Sequence, residues 1–156
     1  MKKPLLKKDH CEKRLFWALN HINYDWSQVM FTDETTVFLN RVTTKAWQFP
    51  GAKKVLRTIA HPLKVHIWGC FSINGFGKIV CFEENLTGKY MTTIYKRGLL
   101  PSVQKLFPGR KPKWILQEDN DPKHRSKIAT DWKKENEITT LPWPPMSPDQ
   151  NPIENI

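Results

Sequence analysis

Three carboxylates stand where a fold could gather them for chemistry: Asp33, Asp119 and Glu154. Asp33 interrupts the apolar, hydroxyl-rich run "VMFTDETTVFLN" at 29–40. Asp119 ends the short apolar run "WILQ" in a knot of acids with Glu118 and Asp121. Glu154 sits in Asn151-Pro152-Ile153-Glu154, where Asn suits an N-cap, Pro the first helical position and Glu the third. Two unit charges about 4 Å apart repel by roughly 4 kcal/mol at an effective dielectric of about 20. Three converging carboxylates therefore demand protonation, Lys or Arg partners, or divalent cations. Hard oxygen ligands suit Mg²⁺ or Mn²⁺. Two such ions roughly 3.5–4 Å apart can activate a water or hydroxyl and stabilise the leaving oxygen of a phosphodiester. Plainer readings stand beside this one. Asp33 can be a bonded polar group in a strand, and Asp119-Asn120 a turn. Glu118 and Asp121 can pair with Lys123 or Arg125 on the surface, and Glu154 can be only the acid of a capping box.

The elements that must position these acids follow from pattern. Apolar residues at helical spacing predict a helix over 8–21, and β-branched and aromatic residues predict a strand over 29–40. "KAWQFPG" reads as a short strand stopped by Pro50-Gly51. "KVHIWGCFSINGFGKIVCFEE" reads as a hairpin turning near Asn74-Gly75 and Phe76-Gly77. A helix is expected within 88–107, ended by Pro108-Gly109, then a buried strand at "KWILQ". "PKHRSKIATDWKKENE" predicts a helix with Pro122 in its first turn, and "ITTLPW" a last strand. The five prolines of "LPWPPMSPDQNPIENI" predict a stiff connector ahead of Glu154. Hairpin strands first, then strand–helix–strand–helix, make an α/β mixed sheet with later strands parallel and helices on its faces.

Composition narrows the partner. The chain has 156 residues, 39% of them hydrophobic, and a formal net charge of +10. That suits one folded domain facing an anion, nucleic acid first. Between Thr35 and Phe82 there is no Asp or Glu, while Arg41, Lys45, Lys53, Lys54, Arg57, Lys64 and Lys78 fall there. Such one-signed stretches suit phosphate contact. Cys11, Cys70 and Cys81 lack metal or disulfide spacing, and His61 and His66 read as structural or surface residues. No phosphate-binding glycine loop, signal peptide or membrane-length apolar run occurs, and a soluble intracellular protein is expected.

The blocks "FTDE", "QEDNDPKHRSK" and "WPPMSPDQNPIEN" together resemble the signature blocks of Tc/mariner transposases. "KKPLLKKDHCEKRLFWALNH" is similar to that family's segment just before its catalytic core, and "HIWGCFSINGFGKI" to its second conserved hairpin. Thirty-four residues separate Asp119 from Glu154, as in the branch whose triad ends in Glu, which selects Asp119 over Asp121. The resemblance implies an RNase H-like mixed five-stranded sheet. It also implies a DDE endonuclease with Asp33, Asp119 and Glu154 as catalytic and metal-binding residues, and two Mg²⁺ or Mn²⁺ ions. Asn120 and His124 match supporting positions. The implied reaction cleaves DNA at a transposon end, after which the freed 3′ hydroxyl attacks target DNA. Arg41, Lys45, Lys53, Lys54, Arg57, Lys123 and Arg125 are the expected DNA contacts. Further expectations are a homodimer in a paired-end complex and location in the nucleus. Residues 1–28 are expected to be a pre-catalytic linker and helix, and 29–156 the catalytic domain, truncated in its last helix. Two rivals stand beside this reading: an inactive remnant or domesticated DNA-binding module, and an RNase H-type ribonuclease.

Overall fold

The structure, a computed structural model, describes residues 5–38, 63–109 and 113–156. Helix α1 (Lys8–Asn20) leads, followed by a 3₁₀ turn at Trp26–Gln28 that is capped by Asp25. Strand β1 (Val29–Phe38) is the spine of the sheet. Its first four residues are buried, as expected of a central strand flanked on both sides. Strand β2 (Lys64–Ser72) lies antiparallel to β1 with Asp33 opposite Gly69. The chain turns back at Ile73-Asn74, where Gly75 takes φ +121°, a value that favours glycine. The returning strand is split into β3 (Gly75–Phe76) and β4 (Val80–Phe82), both paired to β2. The expected strand over 45–51 and the last residues of the strand expected to reach 40 lie outside the described residues.

A helical stretch then covers one face of the sheet. Helix α2 (Gly88–Ile94) is capped by Thr87, runs through a π turn at Tyr95–Leu99, and continues as α3 (Leu100–Leu106). Pro101 lacks the N–H that would bond back into the preceding turn, which suits a loosened ladder there. Met91, Ile94, Tyr95, Leu99, Val103 and Leu106 from this stretch pack on Met30, Trp68 and Leu116 of the sheet. Gly98 permits the close approach, since a Cβ there would meet Trp68 Cζ3 at 2.6 Å.

Strand β5 (Ile115–Gln117) adds in parallel on the other side of β1, with Phe31 opposite Gln117. The sheet order is β3–β2–β1–β5, with β4 also on β2. This is the expected RNase H-like arrangement of a mixed five-stranded sheet, antiparallel early and parallel late. Three local expectations are corrected. Helix α4 (Lys127–Glu135) begins after Ser126, whose Oγ accepts from Ala129 N–H, and not at Pro122. Asp121 captures the intervening residues: its side chain accepts from Lys123 N–H and its carbonyl from His124 N–H, a local turn that competes with helix. "ITTLPW" forms a single parallel bridge, Leu116 to Thr140, rather than a strand; Pro142 follows at once and has no N–H to extend the ladder. The proline connector is not simply extended. It turns at Met146, which takes φ +53°, and coils into 3₁₀ turns at Pro148–Gln150 and Pro152–Asn155.

Candidate active site

Parallel register brings the first two acids together. Phe31 lies beside Gln117 on the adjacent parallel strands β1 and β5. Side chains repeat every two residues along a strand, so the next same-face positions are Asp33 and Asp119. Asp119 lies just past the carboxyl end of β5, the edge at which open α/β sheets bind ligands, and Asp33 stands beside it in the middle of the longer β1. Thr32 locks this register from between: its Oγ–H donates to the Gln117 carbonyl at 2.8 Å. Glu154 arrives from the far end of the chain. Asn151, 4% exposed, caps the Pro152–Asn155 turn by accepting from Ile153 N–H, and donates its side-chain amide to the Thr32 carbonyl at 3.3 Å.

Asp33, Asp119 and Glu154 therefore line one cleft of about 510 Å³, together with Asn120, Asn151 and His10. Burial pushes the Asp33 carboxyl up to about 7, with the charges of Glu154, Glu34 and Asp119 adding to the rise against one bond from Glu34 N–H. Asp119 and Glu154 are exposed at the cleft surface. Among the described residues, no three His, Cys, Asp or Glu side chains close into a group that could hold an ion. The donor set is nonetheless right for a hard divalent cation: three carboxylates from separate segments line one cleft.

Beneath the cleft lies a buried polar network. His124, 2% exposed, places Nε2 3.3 Å from Asp119 Oδ1 and 3.3 Å from Glu34 Oε2. Its Nδ1 is 3.2 Å from the Tyr95 hydroxyl. Burial alone would lower the His124 pKa, but the facing carboxylates of Glu34, Glu118 and Asp119 outweigh it and raise it. Tyr95 donates to Glu118 at 2.6 Å, and Lys133 donates both to Glu118 and to the His124 carbonyl. Burial and the Glu118 charge push the Tyr95 hydroxyl far up, so it remains a donor. Glu118 is thus a buried partner of Lys133 and Tyr95; the expected surface pairing with Lys123 or Arg125 is corrected. Leu116, Gln117 and Glu118 are all buried in succession, so no alternation along the strand marked Glu118 as an inward residue.

The remaining expected residues divide. Asn120 donates to the Trp143 carbonyl at 2.8 Å, which ties β5's end to the proline connector. Lys123 pairs with Asp121 at 2.9 Å. Arg125 is exposed and lines a groove of about 530 Å³ that also takes in Asp119 and Lys134. Arg41, Lys45, Lys53, Lys54 and Arg57 lie outside the described residues. His66 is structural, bonded to Thr36 Oγ at 2.8 Å and stacked on Phe82. The residue missed altogether is His10, which α1 brings into the cleft with its Nδ1 buried and without a partner among the described residues.

Comparison with known proteins adds three findings. The sequence profile of the DDE superfamily endonucleases matches residues 28–156. The Tcb2 transposable-element transposase of Caenorhabditis briggsae is 30% identical over 166 residues, spanning 99% of this chain and 59% of that protein. The chain thus spans about three-fifths of the length of that curated relative. Among solved structures, the catalytic domain of Mos1 mariner transposase superposes with a TM-score of 0.71 at 16% identity, covering 99% of this chain and 71% of that one. The Mos1 paired-end complex, solved once with Mn and once with Mg, superposes at 0.73 in both forms, at 18% and 17% identity, covering 99% of this chain and 48% of that one.

Proposed function

Since the chain belongs to the DDE superfamily endonuclease family, we propose that it is the catalytic domain of a Tc/mariner-type transposase that cuts and joins DNA. The observation that carries this reading is the meeting of Asp33, Asp119 and Glu154 in one cleft from three distant parts of the chain. These three carboxylates would hold two Mg²⁺ or Mn²⁺ ions, which supply an activated water or 3′ hydroxyl and stabilise the leaving oxygen. In the first step water adds to phosphorus at the transposon end and the P–O3′ bond breaks. In the second that 3′ hydroxyl adds to a target phosphodiester and displaces its 3′ oxygen.

The chain's own residues prepare the site. His124, backed by Tyr95 and Glu118, fixes one Asp119 oxygen from below. Asn151 anchors the turn that bears Glu154. Arg125 and Lys134 flank the groove beside Asp119 and suit the phosphates of the substrate strand. The five basic residues between 41 and 57, which lie outside the described residues, are the further expected phosphate contacts. Transposon-end DNA and target DNA are then the partners, with a homodimer bringing two ends together and the nucleus as the place of action. Residues 1–28 form the lead-in, and 29–156 the catalytic unit.

The test is nicking of a transposon-end duplex in Mn²⁺. Wild type nicks, and Asp33→Asn and Asp119→Asn lose activity by several orders of magnitude while folding normally. Equal nicking by wild type and variants overturns the assignment of the triad. Salt-sensitive DNA binding with no cleavage, indifferent to EDTA, marks a non-catalytic DNA-binding domain instead.

A further inference from the structure

We infer that Arg14 is a positioning residue for Glu154 and that α1 works as a strap on the connector that carries it. The inference rests on the reading of Glu154 as a site carboxylate. Helix α1 precedes the residues matched to the endonuclease family, which begin at 28. It buries none of its side chains fully. Yet Arg14 reaches across 135 positions of sequence to grip one turn of the connector. Its guanidinium donates to Asp149 Oδ1 at 2.7 Å and Oδ2 at 2.5 Å, a bidentate pair, to the Met146 carbonyl at 2.5 Å, and to Ser147 Oγ at 3.3 Å. That geometry uses the planar fork that only Arg offers.

The gripped turn is the one that needs holding. Met146 sits at φ +53°, a conformation disfavoured for any residue with a side chain, and its carbonyl is one of Arg14's acceptors. One helical turn further along α1, Trp17 Nε1–H donates to the Pro142 carbonyl at 2.7 Å, and its ring meets Trp143 edge-on at 4.7 Å. The connector is therefore tied at 142 and again at 146–149. Beyond the second tie the chain runs directly through short backbone bonds, Gln150 N–H to Ser147, Asn151 N–H to Pro148 and Glu154 N–H to Asn151. Four linked residues of 3₁₀ and cap separate Asp149 from Glu154. A shift at the strap is carried to that carboxylate with little slack, since prolines 148 and 152 stiffen the path.

The test compares wild type, Arg14→Lys and Arg14→Gln, by hydrogen exchange and by Mn²⁺ titration followed by electron paramagnetic resonance. In Arg14→Gln the amides of Gln150, Asn151 and Glu154 exchange roughly tenfold faster, while those of β1 and β2 keep their wild-type rates. Half-saturation by Mn²⁺ moves to a roughly tenfold higher concentration, and Arg14→Lys recovers part of both effects. Unchanged exchange at 150–154 in Arg14→Gln overturns the strap. Faster exchange with unaltered Mn²⁺ affinity overturns the link to Glu154. A wild-type protein that takes up no Mn²⁺ at all overturns the metal reading of the site, and exchange alone then decides whether Arg14 holds the turn.

Discussion

Asn151 donates its side-chain amide to the backbone carbonyl of Thr32, 3.3 Å away and 119 positions earlier in the chain. Thr32 also bonds Gln117 through its hydroxyl. One residue therefore ties together the strand of Asp33, the strand that leads to Asp119 and the turn of Glu154. The three acids meet because their immediate neighbours bond to a common point, not because the acids attract one another.

Asn151→Ala removes both the amide that reaches Thr32 and the carbonyl that caps Ile153 N–H. Loss of a buried side chain's hydrogen bonds costs roughly 1–3 kcal/mol. Most of it should appear in the last turn, because among the described residues Asn151 hydrogen-bonds to the sheet through Thr32 alone. The expected outcome is a modest drop in the global unfolding midpoint and a large drop in metal-dependent nicking. Asn151→Asp, with an acceptor facing the Thr32 carbonyl, should be worse than Ala. Matching losses in stability and nicking would place the residue in the core instead.

Asp33 carries a pH signature. Its carboxyl ionises near 7 in the folded protein against an ordinary 3.8. Between those values the native state holds a proton that the unfolded chain has released, so stability falls as pH rises. The contribution is fully present below 3.8 and is lost as pH climbs through about 7. Asp33→Asn has no such proton to lose. In EDTA, the gap between urea midpoints at pH 5 and pH 8 should therefore be narrower for the variant than for wild type. The variant should be the more stable of the two at pH 8. An identical pH dependence in both proteins would mean that Asp33 ionises in its ordinary range.

The cleft's three carboxylates are legible in the sequence. Asp33, Asp119 and Glu154 each drew notice by position beside plainer readings, and a mixed sheet with antiparallel strands first followed from the succession of apolar runs. What pattern could not supply was the buried layer below. Glu118 read as a surface acid because acids next to Lys123 and Arg125 pair locally more often than they sink. Its true partner, Lys133, lies on α4, and nothing in sequence spacing says that α4 covers the end of β5. His10 was hidden for the same reason: its place in the cleft depends on how α1 docks on the connector. Pro122 misled in another way. A proline in a first helical turn is common, but Asp121 bonded the next amides first and delayed the helix to Lys127. Local hydrogen-bonding competition of that kind is visible only when both candidates are weighed.

Gly98 is a packing requirement of the π turn. A methyl group there would stand 2.6 Å from Trp68 Cζ3 and 2.8 Å from Val80 Cγ2. Gly-to-Ala inside a helix ordinarily gains about 1 kcal/mol. Overpacking of a filled core costs roughly 1–3 kcal/mol. Trp68 is fully buried and has no room to swing, so the cost should prevail. Gly98→Ala is expected to lower the denaturant midpoint and to shift tryptophan emission. A net stabilisation would show that the helix face can slide along the sheet.

The ion pair of Glu118 and Lys133 should behave as a unit. Both side chains are nearly buried, at 8% and 10% exposure, and Tyr95 supplies a further donor to the carboxylate. Lys133→Met removes the lysine partner of Glu118 and leaves a buried carboxylate with only the Tyr95 hydroxyl and, 3.5 Å away, the His124 ring beside it among the described residues. Breaking one side of such a pair costs about 3–5 kcal/mol. Lys133→Met combined with Glu118→Gln discards the charge but keeps an acceptor for Tyr95, so the double variant should recover roughly 1–3 kcal/mol of that loss. The same comparison reads on function. His124 gives its carbonyl to Lys133 and its ring to Asp119, so a site held from below should lose nicking in Lys133→Met and regain part of it in the double variant. Urea unfolding and nicking rates measured on the same three proteins separate the two effects. If the double variant is less stable than Lys133→Met, Glu118 is held by Tyr95 and His124 rather than by the lysine.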